Sequence, residues 1–439
     1  MRSTEFLRLL LRRLAGCCGF SPRVWVDILG RRAILFSMET AVNPSLLSPF
    51  WETDLQTRLK HFATLRARSG GVEFIPQQDG RGFWSVTSYA GVRTVTRDPK
   101  RSTSTLGFSL DDMPPDLLEI LGSIIVMDDP KHQQYRRLAQ VAFSPRSIRR
   151  MTDCVGRLAD AIVEEIRERR TFDFVDTVAA SLPFQVIADL LGIPVGDRTR
   201  LRELIDLILG VNDGHVSDIA TSLQAVSEFF EYTIDLGRQR RRHPGDDITS
   251  ALMQAEVNGK RLTAAEFGSF VILLAAAGND TTRTALAWAM HLLSEHADER
   301  VALAGDFDGL HSNAIEEVLR WSSPVLHMRR TATTDTVLGD VQIAAGDKVV
   351  VWYLAANHDP SVFPDPSRFD ILRSNARDHQ AFGAGGPHFC LGAGLARMEM
   401  RVVLGTLLAA FPTLRATAPP DPLRSMFVHG VKALPCTLD

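Results

Sequence analysis

The most informative stretch of this chain is FGAGGPHFCLGAGLARMEM, from Phe382 to Met400. It contains five glycines and one cysteine, and its second half repeats apolar residues every three to four positions, which predicts a buried helix. A glycine-rich loop before a helix can bind a phosphate, but that use needs G-x-G-x-x-G after a buried apolar strand. Here His388 and Arg397 occupy the places of the last glycine, and the preceding RSNARDHQA is polar. The loop is therefore predicted to present the sulfur of Cys390.

Cys390 is predicted to stand at the N-terminus of that helix. Unpaired backbone N–H groups and the positive end of the helix dipole favour a thiolate there, so the residue can serve as a metal ligand or a nucleophile. Gly392 keeps the next turn free of a side chain. A cysteine taken alone is more often an ordinary buried residue, and the loop sequence by itself leaves this alternative open.

The composition is that of a globular protein, with 439 residues, 45% hydrophobic, 23% charged, and a net charge of −3. The one dense basic run, GRQRRRHPGDD, is followed at once by acids, so no nucleic-acid partner is predicted. The five cysteines include no C-x-x-C pair, which argues against a disulfide framework and a structural zinc site. A reducing, cytoplasmic location is predicted.

One domain, residues 38–439, is predicted to follow an N-terminal extension, residues 1–37. The extension carries seven arginines against two acids, and charges interrupt its apolar run well short of the ~20 residues of a membrane-spanning helix. No transmembrane segment is predicted. The extension is interpreted as a targeting piece or an upstream addition that is disordered or outside the fold, and an amphipathic membrane-surface helix is the alternative.

The predicted fold is mainly α-helical with a minor antiparallel sheet. Two segments indicate strands: GVEFIPQQDGRGFWSVTS, with a turn at Asp79-Gly80, and TVLGDVQIAAGDKVVVWYLAANHD. Between them most segments show helical periodicity, and the longest runs from Thr263 to Glu295.

The centre of this long helix, LLAAAGNDTTRTALAWAM, combines small and polar residues within a buried stretch. The Thr281 hydroxyl lies one turn after the carbonyl of Ala277, so it can bond that carbonyl, bend the helix and open a groove beside Gly278. A small molecule could occupy the groove. A notch for packing against another helix explains the same residues equally well.

A further segment, IEEVLRWSSPV, places Glu317 and Arg320 one helical turn apart among residues that look buried. Such a pair is usually a surface ion pair worth ~0.2–0.5 kcal/mol. If it is buried, it needs further hydrogen bonds and then acts as a structural lock.

These three motifs, in this order and spacing, resemble the cytochrome P450 haem-thiolate monooxygenases of the soluble bacterial type, from about Met38 onward. The resemblance implies a single-domain P450 fold, with haem b as cofactor and Cys390 as the axial thiolate ligand of its iron. Phe382 would shield the sulfur. The residues implied to hold the haem propionates are cationic or hydrogen-bonding: His132, Arg136, Arg330 and His388. The lock implied behind the haem consists of Glu317, Arg320 and Arg368.

The resemblance also implies O2-dependent hydroxylation. Asp280 would relay protons, and Thr281 would hold a water in the groove beside Ala277 and Gly278. Family members that use peroxide directly tend to lack this acid–alcohol pair, so its presence favours O2 and electrons. The electrons would come from a separate ferredoxin and ferredoxin reductase, and the protein would act as a monomer. The arginines expected to form the ferredoxin surface are Arg137, Arg146, Arg149, Arg150, Arg397 and Arg401.

The substrate is predicted to be an apolar small molecule. The loop FGAGGPHF has eight residues, one more than the commonest soluble form, and with AGNDTTR it is similar to the actinobacterial branch that hydroxylates steroid side chains and methyl-branched lipids. That branch usually has Glu at the place of Asp280, so a terpenoid or other secondary metabolite is the alternative, followed by a non-catalytic haem carrier or sensor. The predicted pocket walls are apolar, although any one can be ordinary core: Phe108, Phe270, Val271, Leu274, Val325, Leu326, Met328 and Phe427.

Overall fold

The structure, a computed structural model, describes residues 48–77, 82–112, 118, 123–140, 143, 145–209, 219–257 and 259–438. The helices among these residues are α1 Ser48–Trp51, α2 Leu55–Ser69, α3 Tyr89–Arg97, α4 Lys131–Gln140, α5 Pro145–Arg167, α6 Pro183–Leu191, α7 Val195–Leu209, α8 Ile219–Arg242, α9 Ile248–Gln254, α10 Ala264–Glu295, α11 Ala297–Gly305, α12 Phe307–Ser322, α13 Tyr353–Asn357 and α14 Ala393–Ala410. The extension predicted for residues 1–37 and the turn predicted at Asp79-Gly80 both lie outside the described residues.

The strands are short. They are β1 Val72–Ile75, β2 Phe83–Val86, β3 Ser102–Thr103, β4 Thr171–Asp173, β5 Glu256–Val257, β6 Lys260–Arg261, β7 His327–Ala332, β8 Thr336–Leu338, β9 Val341–Ile343, β10 Lys348–Trp352, β11 Arg415–Ala416, β12 Asp421–Pro422, β13 Val431–Ala433 and β14 Pro435–Thr437. The largest sheet has the order β1-β2-β10-β7-β3. Every described strand pair is antiparallel except β2 with β10, which is parallel. The prediction of a helix-rich fold with minor antiparallel sheet is confirmed.

Helix α10 is the centre of the fold. Its N-terminus is closed by a capping box, in which Thr263 Oγ1 accepts from the Glu266 N–H at 3.1 Å and the Glu266 carboxylate accepts from the Thr263 N–H at 2.9 Å. From there α10 continues for 32 residues and packs against α6, α8, α12 and α14. None of the described helices is long and apolar enough to cross a membrane.

Candidate active site

One cavity connects the regions that the sequence singled out. Its lining includes Ala277, Gly278 and Thr281 from the middle of α10, and it also includes Cys390 and Gly392 at the start of α14. The helix and the glycine loop, which are more than a hundred residues apart in sequence, therefore share one space. This arrangement makes the cavity the candidate active site.

The glycines of the cysteine loop are needed for its backbone path. Gly383, Gly385 and Gly386 have φ values of 90°, 89° and 84°, a region that other residues rarely adopt. A Cβ on Gly386 would also lie 2.5 Å from the backbone oxygen of Thr96 at the end of α3. The loop thus packs against α3, and its fold is closed by the Cys390 N–H, which donates to the carbonyl of Phe382 at 2.9 Å.

The Cys390 side chain is exposed to the cavity, although it lies deep within the protein. Burial raises the pKa of the Cys390 thiol, whereas hydrogen bonds from the backbone N–H groups of Gly392 and Ala393 and the charges of Arg136 and Arg397 favour the thiolate. The backbone donors at the start of α14 thus act in the predicted direction, although desolvation is the larger effect on the pKa of the thiol. A bound cation would reverse this balance.

The four residues predicted to hold the haem propionates, His132, Arg136, Arg330 and His388, all line the cavity. Neither arginine forms an ion pair within the part of the chain that the structure describes, although burial lowers the pKa of Arg330. The His132 ring lies 4.2 Å from that of His388, between ring centroids, and its buried Nε2 has no hydrogen-bond partner among the described residues. A Cβ on Gly392 would meet no atom within 4 Å. An anionic, iron-bearing ring such as haem fits this arrangement of an orphaned histidine nitrogen, two arginines without an ion-pair partner among the described residues, open space at Gly392 and a nearby sulfur.

The sequence left open whether the middle of α10 forms a groove for a ligand or a notch for packing against another helix, and the structure shows features of both. The Thr281 hydroxyl donates to the Ala277 carbonyl at 2.7 Å, as predicted. A Cβ on Gly278 would lie 2.8 Å from Cδ1 of Ile187 in α6, so the glycine does serve as a packing notch. Because Ile187 itself lines the cavity, that notch brings α6 close enough to form a wall of the site. The Asp280 carboxylate accepts a hydrogen bond from the Asn279 side chain at 3.4 Å, and Asp280 is not among the described lining residues.

Glu399 on α14 is a lining residue that the sequence analysis missed. Its side chain hydrogen-bonds with that of Thr282, the neighbour of Thr281 on α10. Burial raises the pKa of Glu399 to about 8, although the bond with Thr282 favours its ionised form. A carboxyl group inside a run predicted to be buried was the available signal, since burying a charge without a cation is costly.

The predicted lock is present with one change of member. Arg320 Nε and Nη2 lie 2.7 and 2.8 Å from the two carboxylate oxygens of Glu317, and both side chains are fully buried. The third member is Arg373, whose Nε lies 3.1 Å from each of these oxygens. The prediction of Arg368 is wrong, because its side chain is 63% exposed and only its backbone carbonyl accepts from the lock. A turn closed by the Arg373 N–H to the Asp370 carbonyl at 3.0 Å directs Arg373 toward Glu317 instead.

Four of the eight residues that were predicted to form the pocket walls do line the cavity, namely Phe270, Leu274, Val325 and Met328. The other four, Phe108, Val271, Leu326 and Phe427, are not among its described lining residues. Val271 and Leu326 are fully buried in core clusters. Phe108 and Phe427 instead pack edge to face, with ring centroids 5.8 Å apart. Apolar lining residues that the sequence analysis did not single out include Ile187, Leu190, Leu273 and Phe143.

His327, at the start of β7, joins the segments behind this wall. Its Nδ1 lies 2.9 Å from the carbonyl of Met426, and its Nε2 lies 3.2 Å from the backbone nitrogen of Leu110. Because Nε2 must accept from the Leu110 N–H, the ring is neutral and carries its proton on Nδ1. Burial lowers the pKa of His327 to about 4, in keeping with that state.

The sequence model of the cytochrome P450 family matches residues 119–303 and 310–436. This chain therefore belongs to the cytochrome P450 family, whose members carry haem iron, and it is a monooxygenase. It is 41% identical over 399 residues to the methyl-branched lipid omega-hydroxylase of Mycobacterium tuberculosis strain H37Rv, covering 88% of this chain and 92% of that one. It is 36% identical over 358 residues to the steroid C26-monooxygenase of Rhodococcus jostii, covering 80% and 74%. A cytochrome P450 from Mycobacterium marinum solved in complex with pseudoionone matches with a TM-score of 0.84 and 36% identity, covering 91% of this chain and 100% of that one.

Proposed function

We propose that this P450 hydroxylates an apolar lipid of the methyl-branched or steroid side-chain class, with haem b as its cofactor and O2 as the source of oxygen. The observation that carries the proposal is the lining of the cavity. Apart from the haem-edge cations, the cysteine loop, Glu399 and the residues near Thr281, it is built mainly of aliphatic and aromatic side chains such as Phe270 and Leu274. The similarity to the lipid and steroid hydroxylases supports the same class.

The haem would be held at two places. Cys390 would supply the thiolate that binds the iron, next to Phe382, and the propionates would pair with His132, Arg136, Arg330 and His388. When bound, the haem iron supplies the activation of O2, by which one oxygen atom enters a substrate C–H bond and the other leaves as water. Two observations support this placement: Nε2 of His132 is orphaned, and Arg136 and Arg330 donate to backbone carbonyls but have no carboxylate partner among the described residues.

Around the haem, the residues of α10 would handle protons and water. Asp280 would pass protons toward the cavity, and Thr281, whose own proton is committed to the Ala277 carbonyl, would accept a hydrogen bond from a water beside Gly278. The hydroxyl can do so because a hydroxyl oxygen retains acceptor capacity while its hydrogen is donated. Phe270, Leu274, Val325 and Met328 would keep bulk water away from the substrate.

Electrons would come from a ferredoxin and its reductase. The exposed arginines Arg137, Arg149 and Arg401 support a basic docking surface near the cysteine loop. Arg397 is committed to Glu316, and the side chains of Arg146 and Arg150 lie outside those described. Turnover that does not change with ionic strength, or with neutralisation of Arg137, Arg149 and Arg401, would contradict this surface. We propose that the protein works as a cytoplasmic monomer, and the free thiols of Cys154, Cys390 and Cys436 support a reducing location.

The test is a titration of the haem-loaded protein with cholestenone, a methyl-branched fatty acid and pseudoionone, monitored by the shift of the Soret band on ligand binding. A saturable change with either of the first two supports the lipid class. A shift of the Soret band with pseudoionone alone favours the terpenoid alternative. The presence of Asp280, where the lipid-hydroxylating branch usually has Glu, suggests that alternative. Binding without product, in the presence of O2, NADH, ferredoxin and reductase, would indicate a carrier.

A matched pair of variants tests whether the described walls contact the ligand. Phe270→Ala should weaken binding about tenfold or more, since it removes buried apolar contact worth roughly 1.5–3 kcal/mol. Val271→Ala, one position along α10, should leave the dissociation constant near that of the unaltered protein, because Val271 faces the core. Equal effects of the two substitutions on binding would contradict this assignment of the cavity wall.

A further inference from the structure

Two adjacent acids of α12 reach different arginines. Glu317 belongs to the buried lock, whereas Glu316 points to a separate group on the other side. The carboxylate oxygens of Glu316 lie 2.6 and 2.8 Å from Nε and Nη2 of Arg397 on α14, and 2.9 Å from Nε2 of His379. The Glu316 side chain is 6% exposed. Although burial opposes ionisation, the bonds from His379 and Arg397 lower the pKa of Glu316 to about 2, so it is anionic at neutral pH.

Both partners of Glu316 contact the segment that leads to Cys390. The Arg397 guanidinium lies 4.4 Å from the centre of the Phe382 ring, a cation–π distance. Nδ1 of His379 accepts from the Ala381 N–H at 3.1 Å, so its proton is on Nε2 and the ring is neutral toward Glu316. Phe382 in turn accepts the Cys390 N–H through its carbonyl. A chain of direct contacts thus runs from Glu316 to the cysteine.

We propose that Glu316, His379, Phe382 and Arg397, here called the proximal clasp, position the cysteine loop and set the electrostatic field in which the haem iron accepts its electron. The inference rests on the proposed role of Cys390 as the iron ligand. The clasp as a whole is neutral, because one carboxylate balances one guanidinium. Removing either charge should therefore shift the reduction potential of the haem iron, whereas the effects of the two charges largely cancel while the pair is intact.

The charges predict opposite effects for two substitutions. Adding an electron to the iron is favoured by a nearby cation and opposed by a nearby anion. Arg397→Gln should therefore lower the reduction potential, and Glu316→Gln should raise it. Each should change the ratio of ferrous to ferric iron at a fixed potential by on the order of tenfold, as for a unit charge in a partly buried site. A merely structural role predicts that both variants move in the same direction, since both break the same pair.

The experiment is a spectroelectrochemical titration of the haem-loaded variants. The double variant E316Q/R397Q should return close to the unaltered potential, and Arg397→Lys, which keeps the charge, should stay near it. Arg401→Gln, which removes an exposed arginine one turn further along α14, is the matched control and should shift the ratio by less than about threefold, because exposed charges are screened.

Shifts of the same sign in E316Q and R397Q, or shifts no larger than that of R401Q, would overturn the inference. If R397Q does not retain haem, the other two variants still test the inference. E316Q must raise the reduction potential, and R397K must leave it unchanged. The carbon monoxide complex of the reduced unaltered protein separates the two proposals. Without the Soret band of a thiolate-ligated haem, the role of Cys390 and the clasp both fall, whereas with that band only the clasp is under test.

Discussion

Replacing Glu399 by glutamine should remove a large part of the dependence of stability on pH. The Glu399 carboxyl is buried against the cavity and has no cation partner among the described residues, so its pKa is raised from an ordinary 4.5 to about 8. An acid whose pKa is higher in the folded than in the unfolded protein stabilises the fold most at pH values below its unfolded pKa. That contribution is lost as the pH rises toward the higher value, because the folded protein must then give up the proton or hold a buried charge.

The size of the effect follows from the two pKa values. Between pH 5 and pH 8 the loss amounts to about 1.4 kcal/mol per pH unit, or roughly 4 kcal/mol in total. Glu399→Gln keeps the shape and a hydrogen-bonding group toward Thr282 but cannot ionise. The difference in unfolding free energy between E399Q and the unaltered protein should therefore increase by roughly 4 kcal/mol from pH 5 to pH 8, and then remain constant at higher pH.

The assay is urea unfolding of the haem-loaded proteins at several pH values. Glu231→Gln, at an exposed position of α8, serves as the control and should show no such trend. An independent measurement is infrared titration of the protonated carboxyl band that is missing in E399Q, with an expected midpoint at about 8. A band that disappears near pH 4.5, together with a flat stability difference, would refute the assignment of a neutral buried acid.

Three further predictions concern the site and its supports. Thr281→Ala should retain haem but divert most NADH consumption to hydrogen peroxide, and product formation that stays coupled to NADH would refute its role. Arg373→Ala should lower the unfolding free energy by about 3–5 kcal/mol, because it leaves a buried carboxylate short of a partner, whereas Arg368→Ala should change it by less than about 0.5 kcal/mol; urea unfolding compares the two. His327→Leu should cost about 1–3 kcal/mol by leaving the Leu110 N–H without an acceptor, and His327→Gln should recover part of this.

The sequence located the site well because its motifs constrain local backbone. The glycine-rich sequence before Cys390 predicted a loop, and three of its glycines adopt positive φ angles. The position of Thr281 one turn after Ala277 predicted its hydrogen bond, because helix geometry fixes that distance. Both predictions depend only on neighbours in the chain.

Predictions that depend on distant neighbours were less successful. Arg368 and Arg373 lie in the same short segment, and only the turn at Asp370 determines which one reaches Glu317. Val271 and Phe270 are equally apolar, but the orientation of α10 turns one toward the core and the other toward the cavity. Neither the turn nor the orientation is encoded in a local pattern, so the residue types alone could not separate the members of each pair.

The close contact between Gly278 and Ile187 has a consequence for protein engineering. Because Ile187 rests directly on the backbone of α10 and also lines the cavity, its side chain determines how much room a ligand has beside Thr281. Shortening it to valine or alanine enlarges the chamber without touching the haem-edge cations or the cysteine loop. A library that varies this position first, and leaves Gly278 unchanged, therefore offers a direct way to admit bulkier molecules while the catalytic apparatus stays intact.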